Sequence, residues 1–338
     1  MNSETIPQNR PLTDSFGRHI SYLRISVTDR CDLRCRYCMS EKMQFLPRRE
    51  ILSFEEIDEI ASAFVDRGVR KIRLSGGEPL VRKGVPDLMK LLGRHLDSGD
   101  LDELTITTNA TRLAEFADQL VDAGVRRVNV SLDTLDPDTF RYITRWGAID
   151  KTLEGIAAAK AAGLQVKINM VGLKGLNDDQ IVPMMRWCAE QGHDLTLIET
   201  MPLGQIDDDR EDRYLPLDTV QRELEDQFSL IPLAERTGGP ARYLQVEQLG
   251  LKLGFITPLT NNFCDGCNRV RITVSGKIYM CLGQDDNLDL KAALRNGGRD
   301  ALDALLDQAM LLKPERHNFT IGSDEEPAVA RHMSVTGG

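Results

Sequence analysis

The chain has 338 residues, enough for one large domain and a smaller one with a sizeable buried core. Its 42 basic and 52 acidic residues give a net charge of −10, which argues against a general nucleic-acid surface but allows a local basic pocket. Apolar runs are short and the N-terminal stretch is polar, so the composition predicts a soluble cytoplasmic protein without a membrane span or signal peptide.

The predicted elements begin after a flexible N-terminal arm, residues 1–13, which shows no periodicity. An alternating strand at Tyr22–Val27 follows. Ser53 and Glu56 have capping-box spacing and open a helix that is predicted to run to about Asp66.

A repeating unit then fills the chain up to Met201. A helix ends in a glycine, and two to four residues later a short β-branched strand begins. About six alternations of strand and helix predict parallel strands with right-handed crossovers, in either a doubly wound sheet or a barrel. In both folds, ligands bind at the carboxyl ends of the strands. The glycines are Gly68, Gly124, Gly163 and Gly192.

The repeat ends before an acidic run, which predicts a domain junction. Residues 14–206 are therefore assigned to the first domain and residues 207–338 to the second. The second domain is predicted to hold a helix near Thr219–Gln227, β-like segments, and a final helix from about Asp289 to Leu312.

Six of the seven cysteines fall into two groups of three. The N-terminal cysteines, Cys31, Cys35 and Cys38, are spaced by four and three residues directly after the first strand. A 4Fe–4S cube normally takes four cysteines, so three would leave one iron open. Zinc would need a fourth ligand and disulfides an even number, so a cluster is favoured. The seventh cysteine, Cys188, is predicted to be a buried structural thiol.

The C-terminal cysteines, Cys264, Cys267 and Cys281, predict a second metal centre. A second 4Fe–4S cluster with an open iron fits this number of ligands and suggests that a substrate binds the iron. Zinc stays an alternative, with His317 or Asp265 as the fourth ligand.

Cationic side chains stand on predicted strands near these cysteines. Arg269 and Arg271 lie two apart on an alternating run, so both guanidinium groups share one face. Their planar geometry matches phosphate, which predicts a site for a polyanion. Three further cations interrupt apolar strands, where each needs a partner such as a phosphorylated substrate. They are Arg24, Arg73 and Lys167.

The CxxxCxxC motif, with Tyr37 before its last cysteine, resembles the signature of the radical S-adenosylmethionine superfamily. In that superfamily the open iron binds S-adenosylmethionine, and an electron from the cluster cleaves it to methionine and a 5′-deoxyadenosyl radical. The segment Ser75–Pro79 resembles the superfamily's GGEP motif. The resemblance implies an incomplete (β/α)6 barrel of the TIM type, with a C-terminal α+β domain covering its mouth.

A narrower resemblance covers the chain from about Phe16 to its last residue. KIRLSGGEP, LTITTNA, RRVNVSLD, IETMP, CxxCNRVR and a terminal Gly-Gly occur here in one order. This combination resembles the family of radical enzymes that cyclise GTP in the first step of molybdenum-cofactor biosynthesis. The implied reaction removes a ribose hydrogen at C3′ and joins C3′ to C8 of guanine.

That resemblance implies a role for each matched residue. Two 4Fe–4S clusters are implied, one on the N-terminal cysteines and an auxiliary one on the C-terminal cysteines, whose open iron meets the guanine. The implied tail residues, which reach into the active site and are needed for turnover, are Gly337 and Gly338. The implied contacts of S-adenosylmethionine are Tyr37, Gly77, Ser131 and Met201. The implied contacts of GTP are Arg24, Arg73, Thr107, Lys167, Arg269, Val270 and Arg271.

The resemblance also implies partners: a reduced flavodoxin- or ferredoxin-type electron donor, and a cyclic pyranopterin monophosphate synthase that receives the product. It is compatible with a homodimer, and it implies neither nucleic acid nor membrane. Two alternatives stay open, namely a radical enzyme with an auxiliary cluster that modifies a peptide, and a non-catalytic metal-bearing interaction protein. The chain departs from the family pattern at Ala110, where glycine is usual, and at Thr196, where arginine is often found.

Overall fold

The computed structural model describes residues 10–206, 210–235, 238–321 and 327–337, in which one twelve-stranded sheet is flanked by helices. The strands are β1 (Tyr22–Ser26), β2 (Lys71–Ser75), β3 (Glu103–Thr108), β4 (Arg127–Ser131), β5 (Gln165–Val171), β6 (Asp194–Ile198), β7 (Leu230–Leu233), β8 (Arg242–Val246), β9 (Leu251–Ile256), β10 (Arg269–Ile272), β11 (Lys277–Tyr279) and β12 (Asn287–Asp289). The helices are α1 (Phe54–Asp66), α2 (Val85–Asp97), α3 (Leu113–Asp122), α4 (Pro137–Thr144), α5 (Ile149–Ala161), α6 (Ile181–Gln191), α7 (Arg210–Arg213), α8 (Leu217–Glu225), α9 (Leu290–Leu312) and α10 (Met333–Thr336).

The centre of the sheet is parallel, in the order β10-β1-β2-β3-β4-β5-β6-β9. Antiparallel strands extend it at both sides, with β11 and β12 beyond β10, and β8 and β7 beyond β9. Because β9 and β10 both come from the chain after residue 206, the sheet runs through both predicted domains. The boundary at 206 itself stays a prediction.

The sheet curls into an open half-barrel. Arg271 of β10 and Ile256 of β9 line the same cavity, although six strands separate β10 from β9 in the sheet order. In a flat sheet these two strands would lie roughly 34 Å apart, since neighbouring strands are spaced by about 4.8 Å. The predicted incomplete (β/α)6 barrel is therefore confirmed over the doubly wound alternative.

Local signals set several element boundaries. The Ser53 hydroxyl accepts from the Glu56 amide (3.2 Å) and the Glu56 carboxylate accepts from the Ser53 amide (2.7 Å), which closes the predicted capping box at the start of α1. Gly192 ends α6 with a φ of +71°, a left-handed conformation that suits glycine. The long helix α9 begins after its N-cap Asp289 and is broken at Gly298, where φ is +62°.

Residues 10–13, at the end of the predicted N-terminal arm, are packed against the rest of the fold. Leu12 is buried, and its amide donates to the carbonyl of Arg67 at 3.0 Å. Residues 10–13 are therefore part of the packed structure, because the side chain of Leu12 is buried beside the end of α1. Residues 1–9 of the predicted arm lie outside the described residues.

Two other expectations concern helices. Cys188 of α6 is fully buried in the core, as predicted. Helix α8 begins two residues before its predicted start, directly after Pro216 at its N-cap. Among the helices in the described ranges, none combines the length and the apolar character needed to cross a membrane.

Candidate active site

Two adjoining cavities lie at the carboxyl ends of the strands. The first cavity is lined by the N-terminal cysteines and the second by the C-terminal cysteines. The cavities share three lining residues, so both groups of cysteines face a common space. The shared residues are Asn169, Ile198 and Met201.

The N-terminal cysteines lie on a tight loop after β1. The amide of Cys38 donates to the carbonyl of Cys35 (2.9 Å), and the amides of Arg34 and Arg36 donate to carbonyls at the end of α4. Burial raises the pKa of all three thiols, that of Cys38 to about 12. A bound metal cation reverses this preference, because it stabilises the thiolate.

The glycines of the Ser75–Pro79 turn pack directly against this loop. A Cβ atom added at Gly77 would lie 2.4 Å from the carbonyl oxygen of Arg30, and one at Gly76 would lie 2.3 Å from that of Thr28. Both glycines are therefore required for backbone-to-backbone packing, in addition to any approach by a ligand. This packing holds Gly76 and Gly77 in the wall of the first cavity.

Glu78 anchors the same turn to the end of β3. Its buried carboxylate accepts from the Thr108 hydroxyl (2.8 Å) and from the amides of Leu80 (3.0 Å) and Asn109 (2.7 Å). Burial raises the pKa of Glu78 to about 7, against the opposing effect of these hydrogen bonds. The glutamate of the GGEP motif is thus a structural tie between two strand ends.

Tyr37 is held by an acid that the sequence analysis did not single out. Its hydroxyl donates to Asp133 at 2.8 Å, and the other carboxylate oxygen of Asp133 accepts from the Val171 amide at 2.9 Å. Both Tyr37 and Asp133 line the first cavity, as do Ser131 and Met201. Asp133 closes the motif RRVNVSLD at the carboxyl end of β4, so its position after a strand was an available signal.

The C-terminal cysteines lie near the buried side chain of Lys313. The ammonium of Lys313 donates to the carbonyls of Met280 (2.8 Å) and Arg269 (3.0 Å) and lies 3.6 Å from the Cys267 sulfur. Burial raises the pKa of the Cys267 thiol, but Arg269 and Lys313 outweigh it and lower that pKa to about 7. No sequence signal pointed to Lys313, which follows the end of a long helix.

The three cysteines of each group line one cavity. Within the described ranges, no three His, Cys, Asp or Glu side chains are placed to hold one metal ion. A 4Fe–4S cube does not need such a placement, because each cysteine binds a different iron. Asp265 is exposed and does not line the second cavity, whereas His317 does. The donors in both cavities therefore suit a cluster with three thiolates and one open iron.

A row of guanidinium groups forms one wall of the second cavity. Arg24 of β1 is in register with Arg271 of β10 on one side and with Arg73 of β2 on the other, so three arginines stand abreast. Burial lowers the pKa of both Arg24 and Arg271, and the charge of neighbouring arginines is the second cause. The pKa of Arg271 falls to about 9. Nε of Arg73 is buried and makes no hydrogen bond within the described residues. An anion in this cavity would relieve the mutual repulsion.

Some predicted substrate residues fall elsewhere. Thr107 lines the first cavity, and its buried hydroxyl has no hydrogen-bond partner in the described part of the chain. Lys167 is buried and donates to the hydroxyl of Tyr243. This protein group therefore supplies one hydrogen-bond acceptor to Lys167, whose partner was predicted from the sequence to be the substrate. The side chain of Val270 belongs to the hydrophobic core, because it alternates with Arg269 and Arg271.

The two departures from the family pattern have distinct consequences. Ala110 is buried with a φ of +63°, a left-handed conformation that costs an L-residue about 1–2 kcal/mol and explains why glycine is usual there. Thr196 is fully buried on β6, and its hydroxyl has no hydrogen-bond partner within the described ranges. Threonine offers no charge at this position.

The C-terminal tail reaches the junction of the two cavities. The carbonyl of Gly337 accepts from Nη1 of Arg271 at 2.6 Å, and its φ is +72°. In α10, Ser334 lines the first cavity, and its backbone amide lowers the pKa of the Cys38 thiol against the larger effect of burial. Gly338 lies outside the described residues.

The chain matches two protein-family models: Radical SAM superfamily over residues 25–188, and Molybdenum Cofactor Synthesis C over residues 193–319. Among solved structures it is similar to Streptococcus suis SuiB bound to S-adenosylmethionine, with a TM-score of 0.61, 17% identity, and coverage of 97% of this chain and 77% of that chain. At this identity the likeness concerns the fold. The half-barrel and its cysteine loop, with these matches, define an enzyme of the radical S-adenosylmethionine class.

The curated relatives narrow this class. The chain is 58% identical over 332 residues to the GTP 3′,8-cyclase of Agrobacterium fabrum, covering 98% of this chain and 95% of that protein. It is also 58% identical over 328 residues to the GTP 3′,8-cyclase of Erythrobacter litoralis, covering 97% and 98%. The chain belongs to the GTP 3′,8-cyclase family, which uses iron–sulfur clusters and S-adenosylmethionine. The resemblance found in the sequence is confirmed, and the peptide-modifying and non-catalytic alternatives fall away.

Proposed function

We propose that this chain converts GTP into (8S)-3′,8-cyclo-7,8-dihydroguanosine 5′-triphosphate, by a radical reaction that starts from S-adenosylmethionine. One observation carries the proposal: two groups of three cysteines face a common space whose wall bears a row of buried guanidinium groups. Family membership indicates the substrate, and the row offers a site for its phosphates.

In this proposal the first cavity holds S-adenosylmethionine. The N-terminal cysteines would hold a 4Fe–4S cluster, which together with the bound cofactor supplies the electron and the 5′-deoxyadenosyl radical. Gly77 and Ser131 would contact the cofactor, and Asp133 would fix the orientation of Tyr37 against it. Met201 lines both cavities, so it would separate cofactor from substrate and limit the paths by which a radical is quenched.

GTP would occupy the second cavity with its triphosphate on the arginine row. Each charge-assisted hydrogen bond there contributes roughly 1.5–3 kcal/mol, so several together would fix the ribose relative to the first cavity. The C-terminal cysteines would hold the auxiliary cluster against the guanine. The remaining assigned contacts are Thr107, the backbone of Val270, and Lys167, which lies two residues before Asn169 on the same face of β5.

The reaction also needs an electron donor and an enzyme that takes up its product. Each cleavage consumes one electron, and we infer a flavodoxin- or ferredoxin-type donor. The product would pass to a cyclic pyranopterin monophosphate synthase. A homodimer stays a prediction.

Replacing Asp133 by Asn should weaken S-adenosylmethionine binding about tenfold, because a neutral amide replaces a charged acceptor. If its NH2 group faces Tyr37, the tyrosine hydroxyl can no longer donate to residue 133, and if it faces Val171, it opposes a backbone donor. Equilibrium binding to anaerobically reconstituted protein measures this. Asp136→Asn is the matched control: Asp136 caps α4 through the Thr139 amide (2.7 Å) and does not line the first cavity. Equal affinities in wild type and Asp133→Asn would contradict the role of Asp133.

The test of the function is anaerobic iron and sulfide analysis with electron paramagnetic resonance, before and after addition of GTP. We expect about eight irons per chain, and a GTP-dependent signal that survives replacement of all N-terminal cysteines by alanine. Cys188→Ala, which removes the buried seventh cysteine, should leave the iron content unchanged. About four irons with no response to GTP would remove the GTP assignment.

A further inference from the structure

An arginine–aromatic face lies outside the first cavity, on the loop of the N-terminal cysteines. The guanidinium carbons of Arg30 and Arg34 lie 5.3 and 5.1 Å from the ring centre of Phe45, and that of Arg34 lies 5.6 Å from the ring of Trp146. Arg36 covers the ring of Tyr142 at 4.3 Å. None of these side chains lines the first cavity. The face consists of Arg30, Arg34, Arg36, Phe45, Tyr142 and Trp146.

The face is bonded to the backbone of the cysteine loop itself. Nη1 of Arg34 donates to the carbonyl of Cys31 at 2.6 Å, and the indole Nε1 of Trp146 donates to the carbonyl of Asp32 at 2.9 Å. Trp146 is nevertheless 51% exposed and Tyr142 is 41% exposed. A protein bound to these rings would therefore contact the loop that carries Cys31, a proposed ligand of the cluster.

The segment that carries four of the six residues of the face has a charge opposite in sign to that of the whole chain. Residues 30–49 contain six basic and two acidic residues, whereas the whole chain has a net charge of −10. One of the two acids, Asp32, is turned inward, where its carboxylate accepts from Asn109 (2.8 Å) and Thr111 (2.5 Å). The other, Glu41, is exposed. Exposed aromatic and arginine side chains together are typical of protein interfaces.

We propose that this face docks an acidic one-electron carrier protein. The inference rests on the proposed function, because cleavage of S-adenosylmethionine needs an electron from outside the chain. On docking, the carrier would give up one electron to the cluster that the N-terminal cysteines would hold, and no covalent bond would form. A basic face on an otherwise acidic protein attracts an acidic carrier there and repels it elsewhere, which sets its orientation.

The test compares two reductants on reconstituted holoenzyme. Reduction of the cluster is followed by absorbance and paramagnetic resonance without GTP, first with a reduced acidic flavodoxin as the probe and then with dithionite. Arg30→Glu and Arg30→Glu/Arg36→Glu should slow reduction by flavodoxin more than tenfold at low salt, and the difference should shrink as salt rises. Dithionite is small and needs no docking, so its rate should stay unchanged. Arg30→Lys should keep the wild-type rate.

Arg222→Glu is the matched control, because Arg222 is an exposed arginine on α8 far along the chain from the cysteine loop. Equal flavodoxin rates in wild type and the double variant would overturn the proposal. So would a parallel loss with dithionite, which would indicate damage to the cluster. A changed sedimentation coefficient with an unchanged flavodoxin rate would assign the face to self-association instead. Because GTP is absent throughout, failure here is distinct from failure of the GTP assignment.

Discussion

Gly337→Ala is expected to reduce GTP cyclisation on the order of a hundredfold, while iron content and S-adenosylmethionine binding stay at wild-type values. An added Cβ would lie 1.9 Å from the hydroxyl oxygen of Ser75 and 2.8 Å from its Cβ. Rotation of the hydroxyl cannot relieve the second clash, because Cβ is fixed by the backbone of β2. The tail would have to move and break its hydrogen bond to Arg271, and misplacement by about 1 Å at an active site can cost a hundredfold in rate.

The matched control for this prediction is Gly298→Ala. Both glycines combine a positive φ with a ψ outside the left-handed helical region, namely +72° and +125° at Gly337 and +62° and −153° at Gly298, but nothing lies within 4 Å of a Cβ added at Gly298. Both variants therefore force alanine into a backbone conformation that favours glycine, and only Gly337→Ala carries the clash with Ser75. Deletion of Gly337 and Gly338 should reproduce the loss. Normal turnover in the deletion variant would show that the tail is dispensable.

Arg73→Ala is expected to raise the dissociation constant of GTP by about 10- to 100-fold, because a charge-assisted hydrogen bond of roughly 1.5–3 kcal/mol is lost. Arg73 stands at one end of the arginine row, where its Nε has no hydrogen-bond partner among the described residues. Arg73→Lys should recover part of the affinity, since it keeps the charge but loses the planar pair of donors. Anaerobic calorimetry with reconstituted protein measures the affinity.

Arg70→Ala provides the comparison for Arg73→Ala. Arg70 is only three residues away, but it lies outside the second cavity and forms an ion pair with Asp102 at 2.6 Å. Its removal should leave GTP affinity within about twofold, as expected for an exposed pair. An equal loss in both variants would mean that general charge, and not the arginine row, governs binding. An unchanged affinity in Arg73→Ala would withdraw Arg73 from the substrate site.

Much of the fold was predictable because its signals are local. The capping box at Ser53 and the glycine at Gly192 are read within one turn of helix, and both set boundaries that the structure confirms. Residues 10–13 were assigned to the arm because the packing of Leu12 depends on Arg67, more than fifty residues away. The N-terminal cysteine site was also predictable, because its three cysteines lie on a single loop.

Spacing within the sequence determined the donor sets, three cysteines in each group, and the alternation that placed Arg269 and Arg271 on one face. Only the tertiary structure decided that Arg271 stands beside Arg24, because β10 pairs with β1 across more than two hundred residues of chain. The same long-range packing gave Lys167 a partner in Tyr243, tied Asp133 to Tyr37, and set Lys313 beside Cys267. Such neighbours depend on strand order and curl of the sheet, which no local pattern of residues encodes.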